Sequence, residues 1–404
     1  MNPLMVTDMS TFAGGQPLSD AQSELLGRMR EFCTERVLPR ANTIDVENDT
    51  HMDLLQAAYD AGITAQTYAV PKEFGGLGEG LLTHTMMTEE AGRASGAFSV
   101  SMCSLSIGAT VLKFCGGEHS PHLQQRYFPK IREGALTGWA GTEAHAGTDM
   151  AAWKTRAEAN GDYRISGSKW YIGFGSLADF MVLSAKIGPV DGREKRRTSL
   201  LWLERGEWKP GRPMDPTGFR GFDRTELFFD ESAVPADRLV GEEGKGFKYA
   251  MRFADWYRPA ISGTSLGVGQ AAFEYGLAYA KRRHVFGRPV AALEIPQAQI
   301  ADMATDLEVG RTILYRAARY VDDHGLGAEP NEATRLGAIA RLFVTEAAQR
   351  IAITAQRLLG GHGYTRDHPM DRFVRDTLPY FAGLGTNTTH RLQIAELYGA
   401  PRSF

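Results

Sequence analysis

Five short stretches of the 404-residue chain combine small, hydroxylated, aromatic and basic side chains in patterns suited to binding a ligand. They are GWAGTEAHAGTDM (138–150), SKWYIGFGSLADF (168–180), KRRHVFGRP (281–289), RLLGGHGY (357–364) and YFAGLGTNTTHR (380–391). Glycines and hydroxyls let backbone N–H groups approach a bound molecule closely. Each stretch alone also fits an ordinary loop or core strand, so the interpretation depends on their combination.

Three of the stretches carry groups that could contact a ligand, namely aromatic rings, a cationic helix end and paired glycines. Trp170 and Tyr171 are neighbours on a predicted strand and point to opposite faces, so one could stack on a planar ring while the other packs in the core. Arg283 could hold a pyrophosphate and Phe286 an aromatic heterocycle. The paired glycines before His362 would let the backbone approach a phosphate or a ribose.

The elements that must position these residues change in character along the chain. Ser19–Gln22 fits a capping box, and helical spacing of apolar residues continues to about residue 134. Short runs rich in β-branched and aromatic residues, at 163–172, 180–188, 199–206 and 225–234, predict strands. Helical patterning returns at about 242, where a seven-residue repeat of apolar residues (Ile300, Leu307, Leu314, Val321) predicts long, nearly parallel helices.

The predicted fold is therefore an α+β protein of several domains. We predict an N-terminal all-helical domain over 1–135 and a small antiparallel β domain over 136–241. A C-terminal helical bundle of four-helix type would occupy 242–404.

Composition excludes several classes of protein. The net charge of −3 gives no bias toward nucleic acid or membrane. Three cysteines without a CxxC pattern indicate neither a disulfide framework nor a zinc site, and we predict no bound metal. No apolar run approaches the roughly 20 residues of a membrane span. Because the N-terminus lacks a basic start followed by an apolar core, we predict a cytoplasmic protein with a loose N-terminal lead.

Taken in order, these stretches and their neighbours resemble the acyl-CoA dehydrogenase family of flavoproteins, over about residues 18–400. The matching segments are VPKEFGGLG, GTEAHAGTD, KWYIGFGSLAD, VPADRLVGEEGKGF, RRHVFGRPV, QAQIADM, LLGGHGY and RDTLPY…GLGTN…HR. The resemblance implies a middle β-barrel between an N-terminal helical domain and a C-terminal four-helix bundle, usually in a tetramer. It also implies FAD between the β domain and the bundle, with a neighbouring subunit completing the site.

The resemblance assigns the first loop to the flavin. Trp139, Gly141 and Thr142 would contact the flavin itself. Gly147 and Thr148 would follow toward the pyrophosphate and the substrate, with Thr148 contacting both ligands.

Later stretches would complete the cofactor site. Tyr171 occupies the place of the aromatic residue beside the isoalloxazine. Arg283 and Phe286 would reach the FAD of the neighbouring subunit, with Gly361 near its adenosine part. Thr386 would contact the flavin near its diphosphate end.

Three positions depart from the family pattern at this cofactor site. Gly173 stands where a Thr often hydrogen-bonds the flavin, Val285 replaces a frequent polar residue, and Arg357 replaces a common Gln. The aromatic, glycine and Arg283 framework is intact, so FAD binding remains the prediction.

The departure that matters most concerns the catalytic base. In a typical member a Glu removes the α-proton of an acyl thioester while hydride leaves the β-carbon for the flavin. In most members that Glu directly precedes the Gly-Thr pair, where this chain has Leu384. In others it lies on the first helix of the C-terminal domain, where this chain has Tyr257. The backbone N–H of Leu384 could still polarise the thioester carbonyl, together with a flavin hydroxyl. Loss of a positioned base costs about 10²–10⁴ in rate.

Substitutes for the missing carboxylate are few. Tyr257 has a hydroxyl at the right helix position, although a pKa near 10 makes it a poor base without help. Asp255 would project about 200° away around the helix, and the family places an acidic residue there facing the carrier part of the ligand. Arg258 would also contact the carrier or serve the structure. His145, His362 and His390 are candidates by residue type alone.

Three functions remain open at this point. The first is an FAD-dependent dehydrogenase of an acyl thioester, carried on CoA or on an acyl carrier protein, that passes electrons to an electron-transfer flavoprotein or to oxygen. The second is a flavin monooxygenase or oxidase on the same fold, which needs no α-proton base. The third is a catalytically silent subunit of a hetero-oligomer. We favour the dehydrogenase, as a homotetramer or homodimer, with residues 75–109 (Met86, Met87 and Met102 among them) lining part of the acyl pocket or the core.

Overall fold

The structure is a computed structural model that describes residues 12–13, 16–115, 119–187, 198–326 and 332–401. Most of the predicted N-terminal lead lies outside the described residues. Two short paired strands, β1 (Phe12–Ala13) and β2 (Gln16–Pro17), precede the first helix.

The N-terminal third is helical, as predicted. Its helices are α1 (Asp20–Phe32), α2 (Ala41–Glu47), α3 (Met52–Asp60), α4 (Ala65–Tyr68), α5 (Leu81–Ala94), α6 (Gly96–Ser104), α7 (Ile107–Cys115) and α8 (Pro121–Arg132). The predicted capping box is present at α1. The Gln22 N–H donates to the Ser19 hydroxyl at 3.2 Å, and the Ser19 N–H donates back to the Gln22 side chain at 3.1 Å. These two bonds satisfy backbone groups that a helix start leaves without partners.

The stretch Gly96–Phe114 contradicts the prediction that no apolar run approaches the length of a membrane span. Its 19 residues are apolar and long enough to cross a membrane by length and composition. However, 89% of that window is buried inside the protein, as helices α6 and α7. Its burial indicates packing in the core of a folded domain.

The middle third is a sheet, and four of its strands, β5, β6, β7 and β9, lie on the four predicted runs, whereas β3, β4, β8 and β10 were not predicted. They are β3 (Thr137–Ala140), β4 (Arg156–Asn160), β5 (Asp162–Gly173), β6 (Phe180–Ile187), β7 (Thr198–Glu204), β8 (Lys209–Pro213), β9 (Arg224–Val234) and β10 (Leu239–Val240). The order is β10-β7-β6-β4-β5-β9-β8, with β3 on β6.

The prediction of a purely antiparallel domain was wrong in one respect, because β3 and β4 each pair parallel with β6. Parallel pairing requires a long connection between the strands, and β4 and β5 lie in the chain between β3 and β6. In the part of the chain that the structure describes, β10 and β8 stand at the two ends of the hydrogen-bonded order.

The C-terminal part is built on three long helices, α9 (Gly246–Arg282), α10 (Glu294–His324) and α11 (Glu332–Leu358). Between α9 and α10, β11 (His284–Val285) pairs with β12 (Arg288–Pro289). Two shorter helices, α12 (Met370–Thr377) and α13 (Asn387–Leu397), pack on α11. The seven-residue repeat on α10 is confirmed as its buried stripe, since Leu307, Leu314 and Val321 are buried and Ile300 is half-buried.

Helix α5 of the N-terminal third lies along α9 in this bundle. Glycines on α9 allow the two backbones to approach, since a Cβ at Gly267 would lie 2.1 Å from the Glu89 carbonyl oxygen. A buried Arg311 on α10 donates to the Glu89 side chain at 2.7 and 2.9 Å. The N-terminal and C-terminal helical parts therefore share one packed interior. The predicted domain boundaries at 135/136 and 241/242 fall between elements and stay a prediction.

Candidate active site

An aromatic stack joins strand β3, which leads into the first loop of the β domain, to helix α9. The Trp139 ring stacks on Phe253, with ring centroids 4.6 Å apart and planes 17° apart. Phe253 stacks in turn on Tyr257, at 4.9 Å and 23°. The predicted flavin loop and one of the two predicted base positions thus lie on one continuous stack.

A buried ion pair holds that loop in place. Lys169 on β5 is fully buried, and its Nζ donates to the Gly141 carbonyl at 2.8 Å and to the Glu143 carboxylate at 2.9 Å. Burial lowers the pKa of Lys169 to about 8, although the nearby negative charge of Glu143 acts to raise it. The Glu143 carboxylate also accepts the N–H groups of Lys154 and Thr155. Gly141 and Thr142 are therefore presented on a rigid backbone.

Sequence reasoning passed over both members of this pair. Glu143 stands within GTEAHAGTD and Lys169 directly before Trp170, so both lie inside stretches that had been singled out. The available signal was Lys169, a charged residue at a position of the predicted strand where the alternation of side chains places a core-facing residue.

Tyr171 and Gly173 lie near the end of β5, where the pairing with β9 is irregular. Tyr171 has a φ of +60°, and its ring is 63% exposed, so it is free to contact a ligand. The structure explains the glycine at 173, because a Cβ there would lie 2.5 Å from the ring of Phe222. The Phe222 ring occupies the space that a Thr side chain would need.

Tyr257 is buried among other polar groups at the base position. Its hydroxyl lies against the Cys103 thiol and the Ser104 hydroxyl on α6. Burial raises its pKa well above the ordinary value, and the neighbouring Cys103 raises it further. The expectation that Tyr257 acts as the base is therefore not supported by its surroundings, since a phenol that stays protonated donates a hydrogen bond but accepts no proton.

Leu384, at the other base position, has a strained backbone. Its φ is +58°, and Gly385 follows with φ +91°. A non-glycine residue in this region costs roughly 1–2 kcal/mol. Thr386 then caps α13 by accepting the N–H of Thr389 at 3.0 Å. On the other side, the fully buried Arg341 of α11 donates to the carbonyls of Tyr380, at 3.1 Å, and Gly383.

Asp255 and Arg258 turn partly into the bundle. The Asp255 carboxylate accepts the Thr334 hydroxyl at 2.7 Å and lies 3.3 Å from an Arg258 nitrogen, which also lies 3.4 Å from the Gln393 side-chain oxygen. Burial raises the pKa of Asp255. Its side chain is still 17% exposed, and its predicted contact with the carrier stays a prediction.

The three histidines have different surroundings. His145 is exposed, with Nε2 3.1 Å from the Ala152 carbonyl, and His362 is exposed at the turn after α11. His390 is fully buried, and its pKa is lowered to about 3, first by burial and then by Arg258 and Arg341. His390 therefore stays neutral at physiological pH. Its ring packs against Gly385, since a Cβ at Gly385 would lie 3.3 Å from the His390 ring.

The remaining predicted cofactor residues form a second group, far from the first. Arg283 caps the C-terminus of α9, and Phe286 sits in the β11–β12 turn with φ +50° and 94% exposure. The exposed Arg357 and Gly361 lie at the end of α11, whose following turn meets α9 through the rings of His362 and Tyr279.

One chain cannot bring the two groups together. At about 1.5 Å of rise per residue, α9 separates Tyr257 from Arg283 by roughly 39 Å. This geometry fits the expectation that Arg283 and Phe286 serve a neighbouring subunit.

Two cavities border these elements. A cleft of about 570 Å³ opens beside Thr386 and is lined by Glu346, Gln349, Arg350, Phe381, Thr386, Asn387 and Thr388. A second, of about 430 Å³, lies between the starts of α5 and α7, Trp256 of α9 and Asp322 of α10. Met86, Met87 and Met102 are buried in the core.

Comparison with known proteins identifies the class. Residues 19–135 match the family description "Acyl-CoA dehydrogenase, N-terminal domain", residues 138–232 the middle domain and residues 244–398 the C-terminal domain. The chain belongs to the acyl-CoA dehydrogenase family, with a helical, a β and a second helical part in that order.

Individual relatives support the same assignment. Cyclohex-1-ene-1-carbonyl-CoA dehydrogenase of Syntrophus aciditrophicus is 32% identical over 382 residues, 93% of this chain and 89% of that protein. The structure of butyryl-CoA dehydrogenase from Megasphaera elsdenii superimposes with a TM-score of 0.87 at 25% identity, covering 94% of this chain and 98% of that one. A chain from a structure titled for the electron transferring flavoprotein of Acidaminococcus fermentans matches with a TM-score of 0.88 at 27% identity, covering 95% and 99%.

Proposed function

We propose that this protein is an FAD-dependent oxidoreductase that dehydrogenates an acyl thioester between its α- and β-carbons. The observation that carries the proposal is the continuous stack Trp139–Phe253–Tyr257, which joins the end of β3, just before the loop of small residues, to helix α9. Tyr257 lies in turn against α6, within the stretch predicted to line part of the acyl pocket or the core. Trp139 is partly exposed, with the buried rings of Phe253 and Tyr257 stacked behind it, and an aromatic face of this kind next to a rigid loop suits a planar cofactor.

The residues present fit an FAD molecule. The loop held by Lys169 offers backbone groups at Gly141 and Thr142, and the exposed Tyr171 ring can lie beside the isoalloxazine. The cleft beside Thr386 would receive another part of the cofactor. Bound FAD would supply the acceptor for the hydride that leaves the β-carbon.

The residues of this chain would then handle the carbonyl and the α-proton separately. The Leu384 N–H would hydrogen-bond the thioester carbonyl oxygen, which stabilises the charge that develops as the α-proton leaves. Neither base position has a carboxylate, and Tyr257 stays protonated. We therefore infer a slow enzyme toward plain saturated acyl chains, or a substrate whose α-hydrogen is activated by its own structure.

The carrier, the assembly and the electron acceptor extend the same proposal. We infer a cytoplasmic homotetramer or homodimer acting on CoA or acyl carrier protein thioesters. The roughly 39 Å between the two groups of cofactor residues supports an assembly in which subunits share FAD. An electron-transfer flavoprotein is the proposed acceptor, with oxygen as the alternative.

Anaerobic mixing of the purified, FAD-loaded protein with short, branched and cyclic acyl-CoA thioesters tests the function. The expected result is bleaching of the flavin absorbance by at least one saturated thioester, with formation of the enoyl product. Flavin that is reduced only by an added reductase, and then forms an oxygenated species, would indicate a monooxygenase. A protein that binds neither FAD nor thioester would indicate a silent subunit.

A further inference from the structure

Arg341 is the most unusual charged residue near the site. It is fully buried in α11, and in the described residues its Nε and Nη1 have no hydrogen-bond partner. The charged or titratable groups that act on it are Tyr380, Arg258 and Cys103, and none of them is a carboxylate. Its guanidinium lies 5.3 Å from the centre of the Tyr380 ring. A buried cation without a counter-ion is costly, so its position calls for a functional reason.

The hydrogen bonds of Arg341 supply that reason. Its Nη2 donates to the carbonyl oxygens of Tyr380 and Gly383. The Gly383 carbonyl belongs to the same peptide unit as the N–H of Leu384. In a planar trans peptide the C=O and N–H bonds point in opposite directions. A cation bound to the carbonyl oxygen therefore lies on one side of the peptide unit, and the N–H points to the opposite side.

We propose that Arg341 is a positioning residue that fixes and polarises the Gly383–Leu384 peptide, so that the Leu384 N–H binds the carbonyl oxygen of the thioester. The inference rests on the proposed function. A positive charge at the peptide oxygen draws electron density from the N–H and makes it a stronger donor, and the low dielectric of the interior increases the effect. Burial lowers the pKa of Arg341 to about 10, so the group remains a cation at neutral pH.

The surrounding loop is built to keep this peptide in one orientation. Leu384 is held at positive φ, Gly385 follows in the same region, and Thr386 begins the next helix. The His390 ring closes the space beneath Gly385. With the carboxylate of the usual base replaced by Leu384, polarisation of the carbonyl is the main activation that the chain itself can provide.

Isotope-edited vibrational spectroscopy of 2-hexenoyl-CoA bound to the FAD-loaded protein tests the proposal without turnover. The wild-type protein should lower the carbonyl stretching frequency of the bound thioester relative to the free one. Arg341→Met should lose most of that shift, and any measurable kcat should fall at least tenfold with a smaller change in KM. Arg341→Lys, which keeps the charge, should retain most of both.

A matched control separates positioning from folding. Arg372 on α12 is also a buried arginine whose Nε has no hydrogen-bond partner among the described residues, but it faces the carboxylates of Asp376, Asp45 and Asp371. Arg372→Met should leave the carbonyl shift unchanged. If Arg341→Met does not fold, Arg341→Gln keeps a donor without the charge and should show an intermediate shift.

Two results would overturn the proposal. One is an Arg341→Met protein that retains the full carbonyl shift, and the other is an equal loss in Arg372→Met. Both leave the proposed function intact, because the wild-type protein still binds and polarises the thioester. If the wild-type holoprotein neither binds the enoyl thioester nor is bleached by any saturated one, the proposed function fails as well.

Discussion

At the scale of single residues, the candidate site combines the proposed binding groups with two base positions that carry no carboxylate. The carbonyl oxygens of Gly141 and Gly383 accept hydrogen bonds from buried cations, Lys169 and Arg341 respectively. Tyr257 occupies a base position but stays protonated. The proposed function therefore assigns binding and carbonyl activation to groups that the chain holds in place, and proton removal is the step for which the two base positions offer no carboxylate.

Placing a carboxylate at residue 384 tests directly whether proton removal limits the reaction. We expect Leu384→Glu to raise the rate of flavin bleaching by saturated acyl-CoA by about 10²–10⁴, the usual contribution of a positioned general base. The measurement is single-turnover flavin reduction under anaerobic conditions. Leu384→Gln has nearly the same shape without the basic group and should show no increase. Equal rates for the two variants would mean that residue 384 does not face the α-carbon.

At the scale of elements, the contact between α5 and α9 connects the N-terminal helices to the bundle. Glycine at 267 permits this contact because any Cβ there would overlap the Glu89 carbonyl oxygen. Overpacking of this kind costs about 1–3 kcal/mol. We expect Gly267→Ala to lower the free energy of unfolding by that amount in denaturant titrations.

Gly27 provides the matched control for this substitution. It is an exposed glycine inside α1, and a Cβ there would meet nothing within 4 Å. Gly27→Ala should stabilise the protein by about 0.5–1 kcal/mol, because alanine loses less backbone entropy in a helix. Destabilisation by Gly27→Ala, or none by Gly267→Ala, would contradict this account of the packing.

The sequence predicts these elements well wherever local chemistry decides them. The capping box at Ser19 and the seven-residue stripe ending at Val321 need only neighbouring residues, and the structure has both. The parallel pairing of β3 with β6 and the environment of Arg341 depend on segments far apart in the chain. A basic residue on the apolar face of α11 was the available signal for Arg341, but periodicity alone does not show which carbonyl it binds.

At the scale of the whole molecule, stability should depend on acid through three buried histidines. Burial is the main cause that lowers the pKa of His51 to about 4 and those of His84 and His390 to about 3. In the unfolded chain the histidine pKa is near 6.5, so these rings bind protons at pH values at which they stay neutral in the folded chain. The contribution of these histidines to stability is therefore complete above pH 6.5 and falls as the pH drops toward 4, by about 1.4 kcal/mol per pH unit for each histidine. Asp376, whose pKa burial raises to about 6, opposes part of this loss.

Chemical denaturation of the wild-type protein between pH 7 and 4.5 should show this slope. His84→Gln removes one of the three groups and should make the slope shallower by about 1.4 kcal/mol per pH unit, whatever its effect at pH 7. His362→Gln, at an exposed position, should leave the slope as it is. An unchanged slope in His84→Gln would show that this ring is already charged in the folded protein.

Cofactor retention should depend on the second group of residues, at the far end of α9. We expect Arg283→Met and Phe286→Ala to lose FAD during gel filtration while the circular dichroism of the helices stays unchanged. The reason is that both side chains are exposed in the single chain and would contact the FAD of a neighbour. Arg282→Met, at the exposed preceding position, is the control and should keep its flavin. Full FAD content in both variants would contradict a shared site.

The exposed rings also have a consequence for how the protein is made. Phe286 and Tyr364 are 94% and 91% exposed in the single chain, and Tyr171 is 63% exposed. In the proposed assembly, FAD and neighbouring subunits would cover these rings. A newly synthesised chain would expose them until then, and uncovered aromatic surface promotes aggregation. Cells starved of riboflavin should consequently accumulate this polypeptide in inclusion bodies, and vitamin supply during culture should govern how much of it can be harvested.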